Sequence, residues 1–204
     1  MHFDGASKGN PGIAGCGAHI VITTTTETPN NDDNEDGSKH SLSSTKSIYL
    51  RHYCNHCTNN IAEYSGLLQG LKQISLIIND YCRHSNTAQK NHPSNTTRDK
   101  KSIQVQIRGD SNLIIQQMNG NWSVKNEGMK TKYNECRNII NDIEHNVQES
   151  LSNDVTFSIS FDHVYRNMNT IADELANEAI YSKKSWITND YNNNGEEDRE
   201  EEEV

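Results

Sequence analysis

The sequence predicts one mixed α/β domain: a five-stranded sheet, three antiparallel strands followed by parallel ones, flanked by helices. Two observations lead there, and chain length agrees. The apolar period switches between two and about 3.6 along the chain, in the order β-β-β-α-β-α-α-β-α. The first three strands follow one another without a helix, as hairpins do, whereas helices separate the later ones, as parallel crossovers require. A length of 204 residues suits one domain.

The elements follow in order. A strand carrying Phe3 and Asp4 enters a glycine-rich turn. Cys16–Ile22 and Ser47–Tyr53 alternate as strands and should pair antiparallel, with the Thr, Asn and Asp stretch 23–46 as an extended hairpin insert. Behind an Asn59-Asn60 start signal, Leu67, Leu68, Leu71, Ile74, Ile77 and Ile78 fall on one helical face. The polar continuation 79–102 is read as a loop. Ile103–Ile107 alternates again, Gly109-Asp110-Ser111 breaks it, and Leu113, Ile114, Gln117 and Met118 mark a short helix. A stripe from Met129 through Tyr133, Cys136, Ile140 and Ile143 to Val147 is a longer helix, and Phe157–Phe161 is the last predicted strand. Thr170–Tyr181 closes a domain of residues 1–181, leaving 182–204 as an acidic tail without structure. With three residues ahead of Asp4, the first strand is expected to be short, with no separate binding domain before it.

Composition narrows the function. Only 32% of residues are hydrophobic, and 27 are Asn, concentrated where periodicity fails, which marks biased, unpacked segments. No stretch is long and apolar enough to span a bilayer, and the start lacks the basic and apolar regions of a secretory signal, so an intracellular protein of cytoplasm or nucleus is expected. Five scattered cysteines fit reduced thiols. The net charge of −9 is local: segment 23–47 carries −3 and segment 196–204 carries −6. The rest is neutral, so an acidic pI does not exclude a polyanionic partner.

Four acids stand at positions where an open α/β sheet gathers functional groups: Asp4 at the end of the first strand, Glu63 early in the first helix, Asp110 past a strand, and Asp173 at the start of the last helix. Each has a local explanation too. Asn60-x-x-Glu63 and Thr170-x-x-Asp173 match capping boxes, Asp110 suits an N-cap, and Asp4 with Gly5 suits a turn. Converging like charges need cations, and an all-oxygen donor set suits Mg²⁺ or Mn²⁺. Two such ions about 4 Å apart are a usual arrangement for phosphodiester hydrolysis.

Four motifs, in order, resemble those of type 1 ribonuclease H: Phe3-Asp4-Gly5-Ala6-Ser7-Lys8-Gly9-Asn10-Pro11-Gly12, Thr58-Asn59-Asn60-Ile61-Ala62-Glu63-Tyr64, Arg108-Gly109-Asp110-Ser111, and the run from Val164 through Arg166, Asn169 and Asp173 to Asn177. The last is similar to the plant and archaeal branch, with Arg166 where other relatives carry a catalytic His. The resemblance implies the RNase H-like fold and an endonuclease that cuts the RNA strand of an RNA–DNA hybrid, leaving a 5′-phosphate and a 3′-hydroxyl. Asp4, Glu63, Asp110 and Asp173 would hold two Mg²⁺ ions, with Mn²⁺ as substitute, and Arg166 would act electrostatically on the scissile phosphate. Asn10, Asn59, Asn60 and Asn112 would meet the minor groove, where an amide both donates to and accepts from a 2′-hydroxyl. Trp122 and Lys125 match a segment that lies near the DNA strand. The alternative is an RNase H-fold module that binds nucleic acid with weak turnover or none; a monomer is expected in either case. One Cys-x-x-Cys, Cys54 and Cys57 with His52 and His56, falls short of a zinc site on spacing.

Overall fold

The computed structural model describes residues 1–27, 41–89, 101–151 and 155–190. The elements are β1 (His2–Gly9), β2 (Gly12–Glu27), β3 (Ser41–Cys57), α1 (Asn59–Gln89), β4 (Lys101–Gly109), α2 (Asn112–Met118), α3 (Glu127–Ser150), β5 (Val155–His163), a 3₁₀ turn (Arg166–Met168), α4 (Thr170–Ser182) and β6 (Trp186–Asp190). They build one sheet in the order β5-β4-β1-β2-β3-β6. β1 pairs antiparallel with β2, and β2 with β3, while β1–β4 and β4–β5 are parallel, as the helix-separated pattern predicts.

The sheet has six strands rather than five. β6 pairs antiparallel with β3, from Ser47 opposite Asp190 to Arg51 opposite Trp186, so the predicted tail begins too early. The pairing is reinforced by side chains, since the Arg51 guanidinium lies 4.9 Å from the Trp186 ring centroid and bonds the Thr188 hydroxyl. β2 and β3 also run into the predicted insert 23–46, while residues 28–40 lie outside the described part. The 79–102 insert likewise starts too early. α1 continues to Gln89 because Ile78 and Cys82 keep an apolar face against the core after Asn79-Asp80 interrupts the pattern. The predicted loop at 90–100 lies outside the described residues.

β1 is eight residues long and central, and Asp4 is its third residue rather than its last. Strand alternation puts Phe3 into the core beneath α1, with Tyr64, Leu67 and Ile107, and turns Asp4 the other way. α3 lies beside α1 over Ile140, Ile143 and Val147. α4 packs on the opposite face, where Gly15 and Gly17 have no Cβ to collide with Ala176 and Ala172. Among the described residues no helix is long and apolar enough to cross a membrane.

Candidate active site

Close packing brings the first two acids together. A Cβ on Gly5 would overlap the Glu63 amide, and one on Gly66 would overlap the Asp4 carbonyl, so two glycines let α1 rest directly on β1. The Asp4 carboxylate accepts the Gly5 amide at 2.7 Å, and Glu63 Oε1 accepts the Asn59 side-chain amide at 2.8 Å. Glu63 Oε2 is buried without a hydrogen-bond partner. A buried carboxylate oxygen in that state is costly unless something else neutralises it.

The capping explanations fail one by one. α1 is capped by Thr58, whose hydroxyl accepts the Ile61 amide at 3.4 Å, so Asn60 and Glu63 form no capping box. α2 starts after Ser111, which leaves the Asp110 carboxylate uncapped and accepting the Asn169 side-chain amide at 2.9 Å. α4 starts after Asn169, whose side chain makes no cap bond, so Thr170 and Asp173 form no box either. Asp173 instead meets Arg166 Nη2 at 3.1 Å and Asn177 Nδ2 at 3.3 Å. Asp4 lies within a strand, not in a turn.

Asn169 stands in the fourth motif, but the sequence alone assigns it no part in the site. It is 1% exposed, and its side-chain nitrogen donates to both the Phe3 carbonyl and Asp110 Oδ1 at 2.9 Å. Its side-chain oxygen lies 3.2 Å from His2 Nδ1, and its backbone carbonyl accepts the Asp173 amide at 3.1 Å. One amide therefore ties β1, the Asp110 turn and the start of α4, the segments that carry three of the four acids. The motif marks its place four residues before Asp173 but not the partners of its side chain, which lie far off in the chain.

The electrostatics show one shared field. Burial, then the charge of Asp110, and more weakly those of Glu63 and Asp173, push the Asp4 carboxyl up to about 8 against the Gly5 hydrogen bond. Burial, with Asp110 adding to it, lifts Glu63 to about 7, although the Ser111 hydroxyl and Asn59 oppose the rise. Arg166 is raised by its bond to Asp173 and by the charges of Asp173, Asp4 and Asp110. All four acids thus act on one another or on one guanidinium. The unpartnered Glu63 oxygen and the all-oxygen donor set fit a hard divalent cation. Among the described residues no three acids are drawn in far enough to hold an ion as they stand.

The remaining predicted residues divide into two places. Asn10 and Asn59 meet, since Asn10 Oδ1 accepts the Asn59 amide at 3.2 Å, joining the glycine-rich turn to the start of α1. Asn60 and Asn112 are exposed at the starts of α1 and α2. Trp122 is 48% exposed and lines a groove of about 550 Å³ with Gln117, Gly120, Lys130 and Tyr133, and Lys125 is exposed three residues on. Cys54 packs against Cys16, Sγ to Sγ 3.5 Å, and His52 meets the Ser185 hydroxyl.

A family model described as "Reverse transcriptase-like" matches residues 95–179. The bifunctional protein Rv2228c of Mycobacterium tuberculosis is 28% identical over 180 residues, covering 88% of this chain and 35% of that protein. The chain spans about a third of that relative's length. Ribonuclease HI of Halobacterium salinarum is 25% identical over 179 residues, 88% of this chain and 62% of its own. Among solved structures, LC11-RNase H1, isolated from compost, superposes with a TM-score of 0.50 at 29% identity, covering 89% of this chain and 94% of its own.

Proposed function

The chain is RNase H-like in fold and sequence, and from that premise we propose that it is an endonuclease hydrolysing the RNA strand of RNA–DNA hybrids. The observation that carries the reading is the mutual field of Asp4, Glu63, Asp110 and Asp173, where none of the three capping explanations holds. A binding protein gains nothing from four repelling acids at a sheet centre.

Asp4, Glu63, Asp110 and Asp173 would hold two divalent cations, Mg²⁺ or Mn²⁺. Bound there, such cations would supply Lewis acidity for phosphodiester hydrolysis, with 5′-phosphate and 3′-hydroxyl ends as the expected products. Every other part belongs to the chain. Asn169 holds Asp110 against β1, so that the carboxylate does not swing away when its charge is exposed. Arg166 remains protonated at neutral pH and takes no proton, so it meets charge on the scissile phosphate while its bond to Asp173 keeps it over the site. Asn10 and Asn59, already joined, present amide groups to the 2′-hydroxyls that distinguish RNA, with Asn60 and Asn112 beside them. Trp122 and Lys125 form a separate contact for the DNA strand. Arg166, where other relatives carry a His, supports reading the chain as similar to the plant and archaeal variant.

One observation favours a second reading, a hybrid-binding module without turnover: the acids are not closed to ligating distance. A single assay separates the two. The full chain is incubated with RNA–DNA hybrid, duplex RNA and duplex DNA, in Mg²⁺, in Mn²⁺ and in EDTA. Cleavage confined to the RNA of the hybrid, with 5′-phosphate ends and none in EDTA, is expected. Hybrid bound but intact in both metals would establish the module instead.

A further inference from the structure

One part of the segment before α4 has no role in the site described above. Tyr165 is 76% exposed, yet its ring is held in place. It packs edge-on against His163, with centroids 6.3 Å apart and planes at 71°. His163 in turn brings Nε2 to 3.2 Å from the Asp110 carbonyl oxygen. The backbone is fixed at both sides, since the Val164 amide bonds the Gly109 carbonyl at 3.0 Å and the Tyr165 carbonyl accepts the Met168 amide at 2.8 Å. Adjacent residues therefore part company: Arg166 turns to Asp173, while Tyr165 presents an aromatic face to solvent beside the turn that carries Asp110. Met168 at 61% and Ile171 at 41% exposed extend the apolar edge along the same segment.

An exposed apolar ring fixed through one neighbour to the backbone of an acid in the site has little to gain from water. The backbone of a double helix offers it one apolar partner, the flat face of a sugar, because the bases are stacked inside and the phosphates are solvated. We infer that Tyr165 packs on the ribose of a nucleotide next to the scissile phosphate and sets the register of the RNA strand over the four acids. The inference rests on the hybrid-nuclease reading. The contact is through the ring, so the hydroxyl is dispensable, and it neutralises no phosphate, so it releases no counterion.

The test is steady-state cleavage of a hybrid by the full chain at several salt concentrations, with Tyr165→Phe, Tyr165→Leu and Tyr165→Ala, each checked for unchanged Tm. Tyr165→Phe should match the parent. Tyr165→Ala should raise KM about fivefold to tenfold by the same factor at every salt concentration, with kcat within about twofold and an unchanged salt slope. Tyr165→Leu, which keeps bulk without a flat face, should fall between them. An unchanged KM in Tyr165→Ala, a shallower salt slope, or an equal loss in Tyr165→Phe would overturn the inference while leaving the nuclease reading intact. A parent chain that neither cuts nor binds hybrid would instead remove the reading on which it rests.

Discussion

The two sides of the acidic site hold their carboxylates in opposite ways. On the β1–α1 side, Asp4 and Glu63 are packed together through Gly5 and Gly66, pushed up by burial, and one Glu63 oxygen has no partner. On the α4 side, Asp173 is 30% exposed at its side chain and is met by a guanidinium and an amide. One side is held in position by packing and left short of positive charge; the other is supplied with charge and is open. The difference teaches where a cation would contribute most, because desolvated carboxylates gain more from neutralisation than ones already paired.

The comparison can be broken most severely at its packed side. Gly5→Ala sets a methyl into the Glu63 backbone, which cannot yield as a side chain would, and should destabilise the protein by about 4 kcal/mol or more. Chemical denaturation would read this, and the same change at the exposed Gly120, where a Cβ meets nothing but φ is +77°, should cost only about 1 kcal/mol. Next in size is the amide that joins the two sides. Asn169→Ala removes one buried and one half-buried donor bond, for an expected loss of about 2–3 kcal/mol in the same measurement. Its hybrid cleavage should fall by more than tenfold under conditions where it remains folded, since Asp110 is then no longer held against β1.

A smaller effect sharpens the contrast without altering packing. Asp4 and Glu63 have folded values near 8 and 7, above the unfolded carboxylate range near 4, so both prefer to be protonated in the folded state. Their contribution is therefore fully present in acid and is lost as pH rises from about 4 toward 8. In EDTA, stability should fall steadily between pH 5 and pH 8, and Asp4→Asn should flatten that slope. A Tm that rises over the same interval in EDTA would contradict the packed-side description. The least effect belongs to the open side. Arg166→Lys should change stability by less than about 0.5 kcal/mol, because the pair is exposed, but should lower kcat about tenfold through loss of the guanidinium geometry.

Much of this was legible in the residues. The period-two segments lie in β2 to β5, and the four acids that stood out by position share one field. What stayed hidden follows from the kind of signal required. β6 is five residues with no alternation to distinguish it from the Asn-rich run after it, and only pairing with β3 makes it a strand. The last turns of α1 depend on Cys82, a single buried position in a polar stretch. The capping boxes were sound local patterns that the structure overrode, because Thr58 caps its helix two residues before Asn60 and Asn169 turns its side chain to Phe3 and Asp110. Local signals thus located the acids, and several contacts that hold them are local too, whereas the packing of α1 on β1 and the Asn169 bonds to Phe3 and Asp110 are long-range and leave no pattern along the chain.

If the packed side and the open side form one cation site, removing an acid from either should abolish binding at the whole. Calorimetric titration of Mn²⁺ into the full chain, Asp4→Asn and Asp173→Asn measures this directly. Saturable binding by the parent that is lost in both variants is the expected result. Binding unchanged in either variant, or absent from the parent, would show that the four carboxylates do not act as a single site.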